Sequence, residues 1–577
     1  MREATFVETA DQLGDYFRWL SSRRCLLGVD TETTGLEWWT PNFCRLFTVS
    51  DGDVSWAIPM HLWAGAARET EKYHGPIVMH NAKFDLHALG WRRHVHDSMI
   101  MSHLRDPRPP HGLKELGERD VEYKASWYQR RLDEDMKAHK WGWDTIPVNW
   151  PSYWRYGAYD PWLTVKLAEL YLPGLADDPL YDLELEFMQV IRRTEERGMR
   201  VDLPYVHSMI DAATDRCGEI DETLRAEYGM AVDESCGSND VVARVLQANG
   251  VHPSQLGRTP GGAVSVAEEY LAALDHPVAA LVLEHRGLAK RKGSWLQPFL
   301  GGSGEILHPD IRTVGTRTAR LTVSRPAMQT LPRGPLVRDA IIAREGNMLL
   351  LADYKQAELR VLAHYANDKD MIQAFIEGQD LHQMLADVAG VPRQVAKTSW
   401  FAKVYGAGIH RFAETAGISE EEAKAIYAAL DARFPGIKRF LKKLDDTAQE
   451  RLYQDGEGWA RTPWGRYLPA DEGHEYKLGN YLIQSTATAD LPKEKAVLLD
   501  AAGWGEYITM PIHDEFIFDL PEYLVEEARQ DIPKIMEEHE RFRVPMTVDL
   551  DVYARWGDKY PDDYSEKRIT VPTHHHH

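Results

Sequence analysis

The apolar positions of the chain follow two rhythms. In the first third, short apolar or alternating runs at Leu26–Val29, Arg45–Ser50, Ser55–Pro59 and Pro76–His80 are separated by Gly, Asp and Pro. Runs of this length predict β-strands followed by helices. From Asp182 to Arg197 the period becomes helical and stops at Gly198, which predicts an amphipathic helix. Pro173, Gly174 and Asp-rich turns cluster just before it, so a domain boundary is expected near 175–185. Residues 200–300 read as helices broken at Gly250–Pro253 and Thr259–Gly262, and residues 350–440 as mostly helical. Residues 505–520, with the run YITMPIHDEFIFDL, predict strand, turn, strand. No internal repeat or long low-complexity tract interrupts this pattern.

Composition narrows the class. With 577 residues, 44% apolar and 27% charged, the chain is expected to be an α/β multidomain protein rather than a disordered, collagenous or coiled-coil one. No apolar run approaches the ~18–20 residues that span a bilayer, so no membrane partner is expected. The N-terminus lacks a basic region followed by an apolar stretch, so no signal peptide is expected and the cytoplasm is the natural compartment. Cys25, Cys44, Cys217 and Cys236 form no CxxC pair, so neither a disulfide framework nor a structural zinc site is expected. Thr573 and the four histidines after it read as a tag remnant (573–577). The net charge of −22 argues naively against a polyanionic partner. Between Leu281 and Glu345, however, eleven Lys and Arg stand against five Asp and Glu, a local basic stretch suited to phosphates.

Chemistry enters with the acids. In Leu27-Gly-Val-Asp30-Thr-Glu32-Thr-Thr-Gly35, Asp30 and Glu32 are two apart at the end of an apolar strand and face one side. Alone, such a pair reads as a solvated strand end. His80-Asn-Ala-Lys-Phe-Asp85 follows another strand, and Tyr156-Gly-Ala-Tyr-Asp160 begins a predicted helix. Asp30, Glu32, Asp85 and Asp160 together would offer hard oxygen ligands for two divalent cations, with Tyr156 one turn before Asp160 to orient a water. These motifs, in this order and with the segments Asp97-Ser-Met and His111-Gly-Leu-Lys-Glu-Leu, resemble the 3′–5′ exonucleases that carry four acids and a tyrosine. The resemblance implies a ribonuclease H-like fold over about 1–178, acting on the 3′ end of single-stranded DNA.

A second acidic pair lies far downstream. Leu349-Leu-Leu-Ala-Asp353 is an apolar strand ending in an acid, and Ile512-His513-Asp514-Glu515 sits in the predicted strand-turn-strand. Alone, each reads as a turn or cap residue. Between them, Arg393, Lys397, Phe401 and Tyr405 are spaced by four. Each step of four turns a helix by about 40°, so the set spans about 120° of one face, cations at one end and rings at the other. By itself this stripe is also an ordinary amphipathic helix with snorkelling cations. In combination, the three motifs resemble the palm and fingers of the family A DNA polymerases.

That resemblance implies a right-hand polymerase over 179–572: thumb about 185–312, palm about 313–375 and 440–572, fingers about 376–440. It implies that Asp353 and Asp514, supported by Glu515, hold two Mg²⁺ ions, with Mn²⁺ able to substitute. It places dNTP binding on Arg393, Lys397, Phe401, Tyr405, Glu358, Gln356 and His382, and primer–template binding on Arg320, Gln329, Asn480, Gln484, His513, Lys290 and Lys292. Lys355 and Tyr476 depart from the family pattern. The exonuclease motif begins so early that no 5′-nuclease domain is expected ahead of it. Too few residues lie between Lys292 and His308 for a thioredoxin-clamp insertion, an economy resembling bacteriophage enzymes; a helicase or primase partner stays open. The expected activity is proofreading DNA synthesis, in phage genome replication. The rivals are a nuclease whose second half only grips DNA, and a non-catalytic DNA-binding scaffold.

Overall fold

The computed structural model describes residues 1–562; the tag remnant lies outside the described residues. The N-terminal region is built on a six-stranded mixed sheet in the order Glu3–Phe6, Val54–Pro59, Cys44–Ser50, Leu27–Thr33, Ile77–Met79, His96–Asp97. The four expected strands form, and Glu3–Phe6 and His96–Asp97 extend the sheet at its two edges. The long helix Pro151–Tyr171 packs across the sheet. Glycines permit its close approach: a Cβ on Gly28 would lie 2.2 Å from the Pro161 carbonyl oxygen, and one on Gly157 would lie 2.8 Å from Leu46.

Helix Pro179–Arg197 begins with an Asp178 cap and Pro at its first position, and ends at Gly198. It is not a one-faced surface helix. Leu180, Tyr181, Leu185 and Met188 join the N-terminal core, while Phe187, Val190 and Ile191 join the C-terminal one. Two long helices, Leu203–Tyr228 and Pro277–Lys290, follow and share a separate core with the residues between them. The expected break at Thr259–Gly262 is the turn of a small hairpin, Gly257–Arg258 with Val264–Ser265.

The C-terminal region centres on a four-stranded antiparallel sheet, ordered Ile508–Ile512, Glu515–Pro521, Asn347–Tyr354, Val548–Tyr553. Helices Leu381–Ala389, Arg393–Val404, Ile409–Ala416 and Glu420–Arg433 rise beside it. The next helix runs unbroken from Pro435 to Asp455, so a palm boundary at 440 would cut it. One at 312 would split the Asp310–Arg312/Thr322–Ser324 hairpin.

A buried polar seam joins the regions. Glu184 pairs with Arg466 and, at 2.7 Å, with Lys493; Arg466 also pairs with Asp490 at 2.8 Å. The cations hold Glu184 below the usual carboxylate range against the opposing effect of burial. Nearby, His103 Nε2 donates to the Thr316 carbonyl at 2.8 Å. Burial, then the Arg466 charge, pushes His103 down to about 3. No described helix is long and apolar enough to cross a membrane.

Candidate active sites

The N-terminal acids converge. Asp30 and Glu32 lie on the central strand Leu27–Thr33, and their carboxylate oxygens lie within 4.8 Å of each other and of an Asp160 oxygen. Asp160 comes from the Pro151–Tyr171 helix, which starts five residues before Tyr156 because Pro151 fits the first helical position. Tyr156 is therefore inside the helix rather than at its beginning. Asp85 sits in the first turn of helix Ala82–Leu89 and accepts the Thr31 hydroxyl at 2.7 Å. That helix is fixed by Asp97, whose carboxylate accepts the N–H groups of Asn81 and Ala82 at 3.1 and 2.8 Å while capping its own helix at Met99.

Burial is the main cause that raises all four acids. Asp30 and Glu32 stand well above the carboxylate range, and Asp85 is pushed up to about 8. For Asp160, burial is partly opposed by Lys114, with which it forms an ion pair. Lys114 Nζ also lies 4.6 Å from the centre of the Tyr156 ring. Burial, then the Asp160 charge, keeps Tyr156 a neutral phenol. Four acids pushed toward neutrality in one place are a site short of positive charge. Lys114 lies in the segment His111-Gly-Leu-Lys-Glu-Leu, where one lysine at a helix start carries no distinctive spacing and the sequence alone gives it no role.

The downstream acids also meet. Asp353, near its strand end, lies opposite Glu515 on one side and Asp549 on the other. Asp514 occupies the two-residue turn between Ile512 and Glu515, where His513 takes a left-handed conformation with φ +54°. The Asp353 and Asp514 carboxyl groups lie close enough to shift each other's titration. Burial, then the Asp353 charge, pushes Asp514 up to about 8, and burial pushes Glu515 up to about 7. Glu515 Oε1 is buried with no hydrogen-bond partner among the described residues.

A cavity of about 470 Å³ opens beside Asp514. Arg320, Gln356, Glu358, His382, Arg393, Lys397, Phe401 and His513 line it. The predicted stripe is real: Arg393, Lys397 and Phe401 face the cavity while Ala396, Ser399, Trp400 and Val404 are buried behind. Tyr405 lies just past the helix, which ends at Val404 before the left-handed Gly406. With Asn480 it borders an adjoining apolar pocket, and Gln484 donates to its hydroxyl at 3.3 Å. Arg320 Nη2 donates to His513 Nδ1 at 3.1 Å, and the Gln329 side chain donates to the Leu321 carbonyl at 3.1 Å. Arg393 is held at 2.7 Å by Asp380. Of the departures, Lys355 pairs with Asp549 at 2.9 Å, and the ring of the exposed Tyr476 packs against Gly406. Lys290 and Lys292 are not brought to this site; they end helix Pro277–Lys290 and begin the following π-helical turn.

Residues 205–558 match the DNA polymerase family A, and residues 4–171 match a 3′–5′ exonuclease family. The chain is a family A DNA polymerase. Among its relatives are the DNA polymerase of Mycobacterium phage L5, 32% identical over 97% of both chains, and that of Mycobacterium phage D29, 30% identical over 97% of both. The thermostable DNA polymerase I of Thermus filiformis is 31% identical over 69% of this chain and 51% of its own. The solved POL domain of Pol1 from M. smegmatis, in complex with DNA primer-template and dNTP, superimposes with a TM-score of 0.74. It covers 96% of this chain and 99% of its own at 22% identity. This polymerase therefore combines a ribonuclease H-like 3′–5′ exonuclease domain with a right-hand polymerase, as the motifs implied. It is a DNA-directed DNA polymerase with exodeoxyribonuclease activity. Domains of these families use divalent metal ions, and the all-oxygen donor sets, with the orphaned Glu515 oxygen, fit hard cations.

Proposed function

We propose that the two acidic clusters are separate catalytic centres for DNA synthesis and for removal of a mispaired 3′ end, both working with Mg²⁺. The observation that carries the reading is the cavity that Asp514 lines together with Arg393, Lys397 and Phe401. In synthesis, Asp353 and Asp514 hold the cations at the primer terminus. Lys397 and Arg393 hold the dNTP phosphates, and Arg393 must exchange Asp380 for phosphate to do so. Phe401 and Glu358 flank the sugar, and Tyr405 lies toward the base. Arg320, Gln329, His513, Asn480 and Gln484 grip the primer–template, while Lys290 and Lys292 contact duplex phosphates from the thumb. In proofreading, Asp30, Glu32, Asp85 and Asp160 hold the cations, and the neutral Tyr156 phenol orients the attacking water. When bound, a cation pair supplies Lewis-acid charge that lowers the pKa of the attacking hydroxyl or water and neutralises the leaving oxygen.

The division supported best is exonuclease 1–178, thumb from about 185 to just before Asp310, and palm from Asp310 to about 375 and from Pro435 onward around fingers of about 376–434, edges that keep the Asp310–Arg312/Thr322–Ser324 hairpin and the Pro435–Asp455 helix whole. The relatives support a role in phage genome replication within host cytoplasm. Primer extension with magnesium tests the whole reading. Extension with dNTPs and shortening without them are expected. Shortening alone would leave the C-terminal half as a DNA grip, and neither activity would leave a scaffold.

A further inference from the structure

Two of the four cysteines lie near one another in the thumb. Cys217 and Asp221 lie one turn apart on helix Leu203–Tyr228. Cys236 follows in the turn after that helix, and His285 comes from helix Pro277–Lys290. Asp221, Cys236 and His285 offer a carboxylate oxygen, a sulfur and a ring nitrogen that all lie within 4.8 Å of one another. Cys217 adjoins them: its Sγ is 3.8 Å from the His285 carbonyl oxygen, and the Asp221 charge bears on it. Cys217 in turn bears on Cys236. All three residues of the first set are buried.

The bland account is a capped turn. Asp221 accepts the Cys236 N–H at 3.0 Å and the Ser235 hydroxyl at 2.8 Å. That account explains the aspartate but not the rest. His285 Nε2 stops 3.9 Å from Asp221 Oδ2, beyond hydrogen-bond reach. It also gives no reason for two thiols beside an imidazole in the thumb core.

We propose that Cys217, Asp221, Cys236 and His285 form a structural site for a thiolate-preferring divalent transition ion, zinc first, that ties the turn after helix Leu203–Tyr228 to both long thumb helices. Two sulfurs, one imidazole and one carboxylate make a tetrahedral donor set that discriminates against the hard cations used in catalysis. Tetrahedral zinc needs donor atoms roughly 3.3–3.8 Å apart, so Asp221, Cys236 and His285 have to close by about an ångström, and Cys217, which lies outside that set, has to turn from the His285 carbonyl toward it. The Ser235 and Cys236 hydrogen bonds would then orient the Asp221 ligand from outside. On binding, each thiol gives its proton to solvent. The site escapes sequence inspection because its donors are spread over three elements with no CxxC.

The test uses the full chain, stripped with chelator under reducing conditions and titrated with cobalt(II). A thiolate-to-cobalt charge-transfer band in the near ultraviolet, saturating at one equivalent and erased by zinc, is expected. Neither the all-oxygen acid sites nor the terminal histidines produce such a band. The band should persist in C25S and fall by at least half in C236S and in C217S, each of which leaves a single thiolate, with H285Q weakening cobalt binding at least tenfold as a second, sulfur-preserving variant. Zinc should also raise the Tm of the wild-type chain in saturating Mg²⁺. Absence of the band in the wild-type chain overturns the proposal. So does a band unchanged in C236S, or a Cys217–Cys236 disulfide in the freshly purified chain without metal.

Discussion

The two acidic centres solve one electrostatic problem in opposite ways. The exonuclease acids come from one domain, crowd within a few ångströms, and have a cation of the protein, Lys114, already against Asp160. The polymerase acids come from a strand end and a neighbouring turn brought together by sheet register, and Asp514 opens onto a cavity that Arg393 and Lys397 also line. One of those cations, Arg393, is occupied by Asp380. The first site is assembled before DNA arrives. The second keeps its charges apart until something anionic lies between them, which links assembly of the site to the arrival of a nucleotide.

The largest break in this comparison comes from the acids. The double variant D30A/E32A should lose single-strand degradation by orders of magnitude while extending primers normally. D353N should do the reverse, and equal loss of both activities in either variant would mean the centres are not independent. Lys397→Ala removes a cation across the cavity and should slow extension by about 10²–10³ with nuclease rate unchanged. Normal single-turnover extension would reduce the helix stripe to a surface face.

The seam asks whether the centres are also independent in folding. Glu184→Ala leaves buried Lys493 without its carboxylate partner and Arg466 with Asp490 alone, and should cost about 3–5 kcal/mol, with Glu184→Gln milder. Calorimetry of both variants would show whether the domains then melt apart; an unchanged profile would mean the seam does not couple them.

Sugar discrimination is a finer effect. Glu358 is raised by burial, with Arg320 opposing, and borders the apolar pocket beside Phe401. Glu358→Ala should raise ribonucleotide over deoxynucleotide incorporation severalfold, and Phe401→Tyr should raise dideoxynucleotide incorporation by restoring a hydroxyl. Unchanged ratios in active enzymes would displace both residues from the sugar.

The smallest effect is a pH dependence at the seam. His103 is neutral when folded, with its pKa at about 3, against about 6.5 unfolded. Its contribution is full above the unfolded value and declines as pH falls toward 3, because only the unfolded chain gains a proton there. His103→Gln should therefore flatten the fall of Tm between about pH 6 and 4 relative to wild type; identical slopes would remove His103 from that account.

Much of this was legible in the chain. Asp30 and Glu32 face one way because strand geometry has period two, and the stripe from Arg393 to Phe401 follows from the helical period. Local periodicity also gave the strands and the helix ending at Gly198. It did not show that this helix is buried on both faces, because both faces are judged against partners far away in sequence. Lys114 was missed for the same reason, as its meaning is its distance to Asp160.

By itself, then, the sequence determined which residue types each centre owns and the local elements that carry them. Those depend on backbone geometry over a few residues. Tertiary structure alone decided which charges meet: Asp353 with Asp514, Lys114 with Asp160, Glu184 with Arg466, and Cys217 and Cys236 with His285. Charge and coordination depend on separations of a few ångströms, and only packing brings distant parts of a chain that close.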